Sequence, residues 1–112
     1  MEQTWTVVPS DEVARWYLGL SARDQGVVDE MVGLLAARGN RLRMPHSRSL
    51  GAGLFELRFA IERGAVEQRI TYVFDPGRRI IELTTFRKTR ENEAAQIARA
   101  RAAKARHEKE AR

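Results

Sequence analysis

The chain has no cysteine, and that absence removes disulfide frameworks, thiolate nucleophiles and zinc sites built on thiolates. Its two histidines, His46 and His107, stand far apart, so a histidine-rich metal site is not expected either. No apolar run approaches the roughly 18 residues of a membrane span. The opening MEQTWTVVPSDE lacks the basic leader and apolar stretch of a signal peptide. These absences point to a cytoplasmic protein with no metal, no small-molecule cofactor and no membrane partner. The chain is also short. Its 112 residues suit one domain, 1–112, with too little core to enclose a deep cleft.

Cations are plentiful, and they are unevenly placed. The net charge is +5, with 20 Lys or Arg against 15 Asp or Glu. Residues 1–37 hold two arginines against six acids, a balance of −4, whereas residues 38–112 hold 18 cations against nine acids, a balance of +9. The positive two-thirds should prefer a polyanion, with nucleic acid the first candidate and an acidic protein the next. Seventeen of the cations are arginine, whose planar fork grips phosphate through two hydrogen bonds.

Residues 3–8, QTWTVV, read as a short strand ended by Pro9. Ser10 is placed to cap a helix on which Val13, Trp16, Tyr17 and Leu20 recur at helical spacing, with Gly19 interrupting it. Ser21 and Asp24 resemble a capping box opening a second helix, which runs to about Arg38 and stops at Gly39-Asn40. Residues 40–53, with Pro45 and Gly51-Ala52-Gly53, read as an irregular basic connection. Three strands follow, Leu54–Ala60, Glu67–Asp75 and Arg79–Phe86, with turns at Gly64 and at Asp75-Pro76-Gly77. They form an antiparallel meander. From about Asn92 the composition is helical, but Ile97 is its only large aliphatic residue, so fraying is expected from about residue 103.

Alternation along the strands sorts the meander into two faces. Phe55, Leu57, Phe59, Ile70, Tyr72, Phe74, Ile81 and Leu83 should lie under the two helices, with Trp5, Trp16 and Tyr17 in the helical layer. The other face should carry Glu56, Arg58, Arg69, Thr71, Glu82, Thr84 and Phe86, bordered by basic loops at 41–48 and 87–90. That is a shallow basic groove floored by a sheet. Arg58 and Arg69 suit phosphate binding there; they also suit plain cross-strand pairing with Glu56 or Glu82, worth about 0.2–1 kcal/mol and needing no function.

Residues 44–88 contain Pro45-His46-Ser47-Arg48, Leu50-Gly51, Gly53-Leu54, Glu56-Leu57-Arg58, Arg69-Ile70, Tyr72 and Phe86-Arg87-Lys88 in order. This series resembles the RelE/HigB superfamily of type II toxin–antitoxin toxins, in particular its phage-derived HigB-like branch, over nearly the whole chain. The resemblance implies a RelE-like α+β fold: an N-terminal strand and two-helix layer packed on an antiparallel β-meander, then a C-terminal helix. It implies a ribosome-dependent, metal-independent mRNA endonuclease, in which a ribose 2′-hydroxyl attacks the adjacent phosphodiester. The implied partners are mRNA on the ribosome and a cognate helix-turn-helix antitoxin. Arg58, Arg69, Lys88 and His46 are the implied catalytic set; Arg43, Arg48, Phe86, Arg87 and Arg90 are the implied RNA contacts. Thr84 stands where the branch often has histidine, and Thr89 where it has a second lysine. Two other readings stay open: a non-enzymatic inhibitor of the ParE type, and an RNA- or ribosome-binding module whose catalytic site has decayed.

Overall fold

The computed structural model describes residues 4–111. Strand β1 (Thr6–Pro9) leads into α1 (Asp11–Leu18) and α2 (Ala22–Arg38). A 3₁₀ turn at Gly39–Arg41 precedes β2 (Ser47–Gly51), β3 (Leu54–Ile61), β4 (Val66–Asp75), β5 (Arg79–Arg87) and α3 (Glu93–Glu110). The five strands form one sheet in the order β1-β5-β4-β3-β2, mixed because β1 runs parallel to β5. This is the α+β architecture expected, with one strand, β2, more than the N-terminal strand and the meander supply. Gln3, where the first strand was expected to begin, lies outside the described residues. No helix among them is long and apolar enough to cross a membrane.

The helix boundaries follow from local chemistry. Ser10 Oγ accepts the Val13 N–H at 3.2 Å and donates to the Leu83 carbonyl at 2.9 Å, so one hydroxyl caps α1 and ties it to β5. Ser21 Oγ caps α2 by accepting the Asp24 N–H. Asp24 does not complete a capping box with Ser21 in the expected way; its buried carboxylate accepts the Glu62 N–H and ties α2 to the β3–β4 turn. Gly39 ends α2 with φ +51°, and its α-carbon lies against the Trp5 indole.

Both faces of the sheet are covered in part. Under α1 and α2 lie Leu57, Phe59, Ile61, Ile70, Tyr72 and Ile80, with Phe55 and Phe74 beside them. Leu35, Leu57, Ile70 and Ile80 are completely buried, each contributing about 1.5–3 kcal/mol. On the opposite face α3 covers Leu54, Val73, Ile81 and Leu83 with Ala100 and Ala103. Two expectations are corrected here. First, Ile81 and Leu83 belong to the α3 face, while Ile80 and Glu82 point toward the helix pair. The strand can satisfy either parity, and α3 supplies the second apolar layer that simple two-layer reasoning omits. A register shift between Thr71 and Tyr72 then returns Thr84 and Phe86 to the α3 side of the sheet.

Second, the segment expected to be irregular contains β2, paired antiparallel with β3. Ser47-Arg48-Ser49 carries no β-branched residue, so propensity hides an edge strand that the β3 ladder holds. Helix α3 runs to Glu110. Its anchors are small or polar. Ala100 and Ala103 let the helix backbone approach the sheet, and Arg101 donates to the Leu50 and Gly51 carbonyls. The Arg99 guanidinium forks onto both oxygens of Glu12, and His107 meets the Asp75 carboxylate at 3.0–3.1 Å.

Candidate functional site

The sheet face covered by α3 at one end carries a polar row at the other. On neighbouring strands Arg58 stands directly opposite Arg69, and Glu56 opposite Thr71. Two like charges across a ladder repel, and the compensation is Glu56, two residues before Arg58 on the same face. Its side chain is 1% exposed, and its Oε2 lies 3.7 Å from Arg58 Nε, 3.8 Å from Arg69 Nε and 4.0 Å from Arg48 Nη1. Burial pushes the Glu56 carboxyl above the usual glutamate range, against the pull of Arg69, Arg48 and Arg58.

The two arginines are held differently. Arg69 is 3% exposed, and its Nη1 donates to Glu67 Oε2 at 3.3 Å and to the Gln68 carbonyl at 3.1 Å. Arg58 is half-buried, with Nη1 on the Met44 sulfur at 3.0 Å. Both Nε groups and Glu56 Oε1 are buried without a hydrogen-bond partner. The two Nε groups sit at ion-pair distance from Glu56 Oε2 without a hydrogen bond, an arrangement that costs free energy.

Arg58 and Arg69 line a shallow hollow of about 320 Å³ together with Pro45, His46 and Glu67. Backbone bonds fix the histidine there: its N–H donates to the Arg43 carbonyl, and its carbonyl accepts the Arg58 N–H at 2.8 Å. A cis Met44–Pro45 peptide precedes it. Three members of the expected catalytic set thus come together. Lys88 does not line the hollow; it is half-buried, and its N–H donates to the Glu67 carbonyl, extending the β4–β5 ladder.

The expected RNA contacts divide as well. Arg87, the last residue of β5, and Arg90, on the turn after it, are exposed, and Asn92 clamps that turn by donating to the Arg87 carbonyl and accepting the Thr89 N–H. Arg43 is exposed but curls back onto the Asn40 and Leu42 carbonyls. Arg48 is tied to Glu93 at 3.3 Å. Phe86 is 6% exposed, so the ring packs into the sheet and offers no free face to a base. Thr84 is buried with its hydroxyl 2.5 Å from that of Thr71, a structural pair across the register shift. Tyr72 is core, as parity indicates, its hydroxyl 2.5 Å from Ser47 Oγ. Glu82, expected beside the arginines, faces away from them. Sequence reasoning gave Glu56 no role beyond a possible pairing partner. The signal for more is its position two residues from Arg58 on one strand face.

The family model of phage-derived protein Gp49-like matches residues 15–109 of the chain. Among solved structures, a chain in the crystal structure of the toxin–antitoxin complex RelBE2 from Mycobacterium tuberculosis is similar, with a TM-score of 0.57 at 21% identity. The match covers 76% of this chain and 99% of that one, and at such identity the likeness is one of fold. No curated protein matches the sequence significantly.

Proposed function

The chain belongs to the phage-derived Gp49-like family, of the RelE/HigB toxin type, and from that premise we propose that it is an endonuclease of mRNA held on the ribosome. The observation that supports this reading is the hollow where Arg58 and Arg69 stand side by side next to His46. In the proposed reaction a ribose 2′-hydroxyl attacks the adjacent phosphorus. The O2′–P bond forms and the P–O5′ bond breaks, leaving a 2′,3′-cyclic phosphate and a 5′-hydroxyl. Negative charge gathers on the non-bridging oxygens in the transition state. Arg58, the more exposed arginine, meets that charge directly, and Arg69 reinforces it from beneath. His46 carries the proton on one side of the reaction. Lys88, Arg87 and Arg90 hold flanking phosphates at the rim.

Both arginines of the hollow are shadowed by carboxylates, Arg58 by Glu56 and Arg69 by Glu56 and Glu67. Free RNA must compete with those acids, which suits an enzyme that acts only where a larger machine presents the strand. The protein then works in the cytoplasm, restrained by an antitoxin. Its structural relative comes from a toxin–antitoxin complex.

The test is primer extension on mRNA in a reconstituted translation system. Cuts are expected only when ribosomes are present, and Arg58→Ala should slow them by about 10²–10³-fold, as for other transition-state donors. Absence of cuts at any protein concentration would sink the nuclease reading. Ribosome binding without cuts would then favour the decayed module, and inhibition of gyrase the ParE-type alternative.

A further inference from the structure

A second cavity lies on the other face of the sheet, between α1, α2 and the β1–β5 edge. Its volume is about 390 Å³, and four of its ten lining residues are the valines Val7, Val13, Val28 and Val32. Glu82 lines it too. The register that opposes Tyr72 to Glu82 turns this side chain toward the helix pair. Glu82 is 3% exposed, and its Oε2 is buried with no hydrogen-bond partner.

A carboxylate oxygen among valines without a donor is expensive, whereas an apolar residue of similar size would pack there at no such cost. The cation that would satisfy it is missing from the wall: none of the lining side chains is basic. The second acid of the lining, Asp29, accepts a hydrogen bond from the Tyr17 hydroxyl at 2.7 Å. Leu18 adds an apolar side chain 75% exposed. The cavity thus offers an apolar wall, a desolvated acid and no competing cation, within the roughly 300–1,000 Å³ typical of small-molecule sites.

We propose that this cleft binds a small organic amine, its hydrocarbon body against the valines and its ammonium group on the Glu82 carboxylate. A neutral ligand of the same shape leaves Glu82 unpaired, and an anion is repelled by Glu82 and Asp29 together. Burial pushes the Glu82 carboxyl up to about 7, so the site is charged at pH 8, where a simple amine is still protonated. Asp29 and Tyr17 are the other titratable groups of the lining.

The experiment is a ¹H–¹⁵N correlation titration of the full chain at pH 8 with benzylamine and, separately, benzyl alcohol. Benzylamine should shift the amides of Val13, Val28 and Val32 saturably, at least tenfold more tightly than the alcohol. Glu82→Gln should bring the two ligands to parity. Ala14→Leu, which adds bulk to the wall and leaves Glu82 in place, should weaken both by tenfold or more. Equal binding of amine and alcohol to the unaltered protein overturns the proposal. So does an amine preference that survives Glu82→Gln, unchanged binding in Ala14→Leu, or shifts centred on Asp75 or Glu56.

Discussion

Arg58 and Arg69 share one counter-ion, yet they should respond differently to removal. Arg69 is buried against Glu56, and deleting one partner of a buried pair costs about 3–5 kcal/mol because the other charge is stranded. Arg58 is a quarter exposed and leaves Glu56 with Arg69 and Arg48. Arg69→Ala should therefore lose both cleavage and stability, whereas Arg58→Ala should lose cleavage and keep a melting temperature near that of the parent. Urea titrations beside the primer-extension assay separate the two, and a parent-like Arg69→Ala would show that Glu56 does not depend on it. Glu82 supplies a second prediction. Its carboxyl is raised to about 7 when folded, against an ordinary value near 4.3, so the folded state holds a proton that the unfolded state releases first. Stability from this group is full below about pH 4 and is lost as pH rises through 7, a difference of about 3 kcal/mol. Glu82→Gln should match the parent at low pH and exceed it by about that amount at pH 8. Parallel pH profiles for the two proteins would show that Glu82 is not desolvated.

At the scale of elements, what could be read from sequence was whatever chain-local chemistry decides. Ser10, Gly19, Ser21 and Gly39 mark α1 and α2 to within a residue, because caps and stops act on their own neighbours. The meander was legible for the same reason: alternation and Asp75-Pro76-Gly77 are local signals. What depended on distant partners was hidden. The edge strand β2 owes its existence to the β3 ladder, and α3 is held by Ala100, Ala103 and three polar anchors that no hydrophobic pattern announces. The reversed parity of β5 has the same origin, since only α3 gives Ile81 and Leu83 somewhere to go. The candidate site was readable where one strand's alternation places Arg58. Phe86 was not, since its exposure depends on packing from other elements. Gly39 joins the local and the distant. A Cβ there would stand 2.0 Å from Trp5 Nε1 at φ +51°, and Trp5 is itself packed on Phe74 with the Arg78 guanidinium over its ring. Gly39→Ala should cost about 2 kcal/mol or more, from strained backbone and a displaced ring together. Chemical denaturation with indole fluorescence reports both; an unperturbed emission spectrum and midpoint would mean the ring yields freely.

The whole molecule is a slab measuring 39 × 38 × 26 Å, and its cations are less available than their number suggests. Several of the 18 cations of residues 38–112 are committed to carboxylates. Arg48, Arg58 and Arg69 lie against Glu56, Glu67 and Glu93, and Arg99 against Glu12. The number of cations alone therefore overstates how strongly this face can seize an isolated RNA strand. Arg87 and Arg90 are a different case, exposed side chains at the end of β5 and on the clamped turn after it, beside the arginine face. If they meet ribosomal or messenger phosphates, each contact releases bound counter-ions, and affinity falls steeply with salt. The double variant Arg87→Ala, Arg90→Ala should bind ribosomes more weakly and lower the slope of log K against log salt by about 2, roughly one for each lost phosphate contact. Its folding stability should stay within about 0.5 kcal/mol of the parent, because neither side chain is buried. Sedimentation with ribosomes across a salt series measures that slope directly. A slope that does not change would place the phosphate contacts elsewhere, on Lys88 or on arginines that exchange their carboxylates for RNA when the ribosome closes over the site.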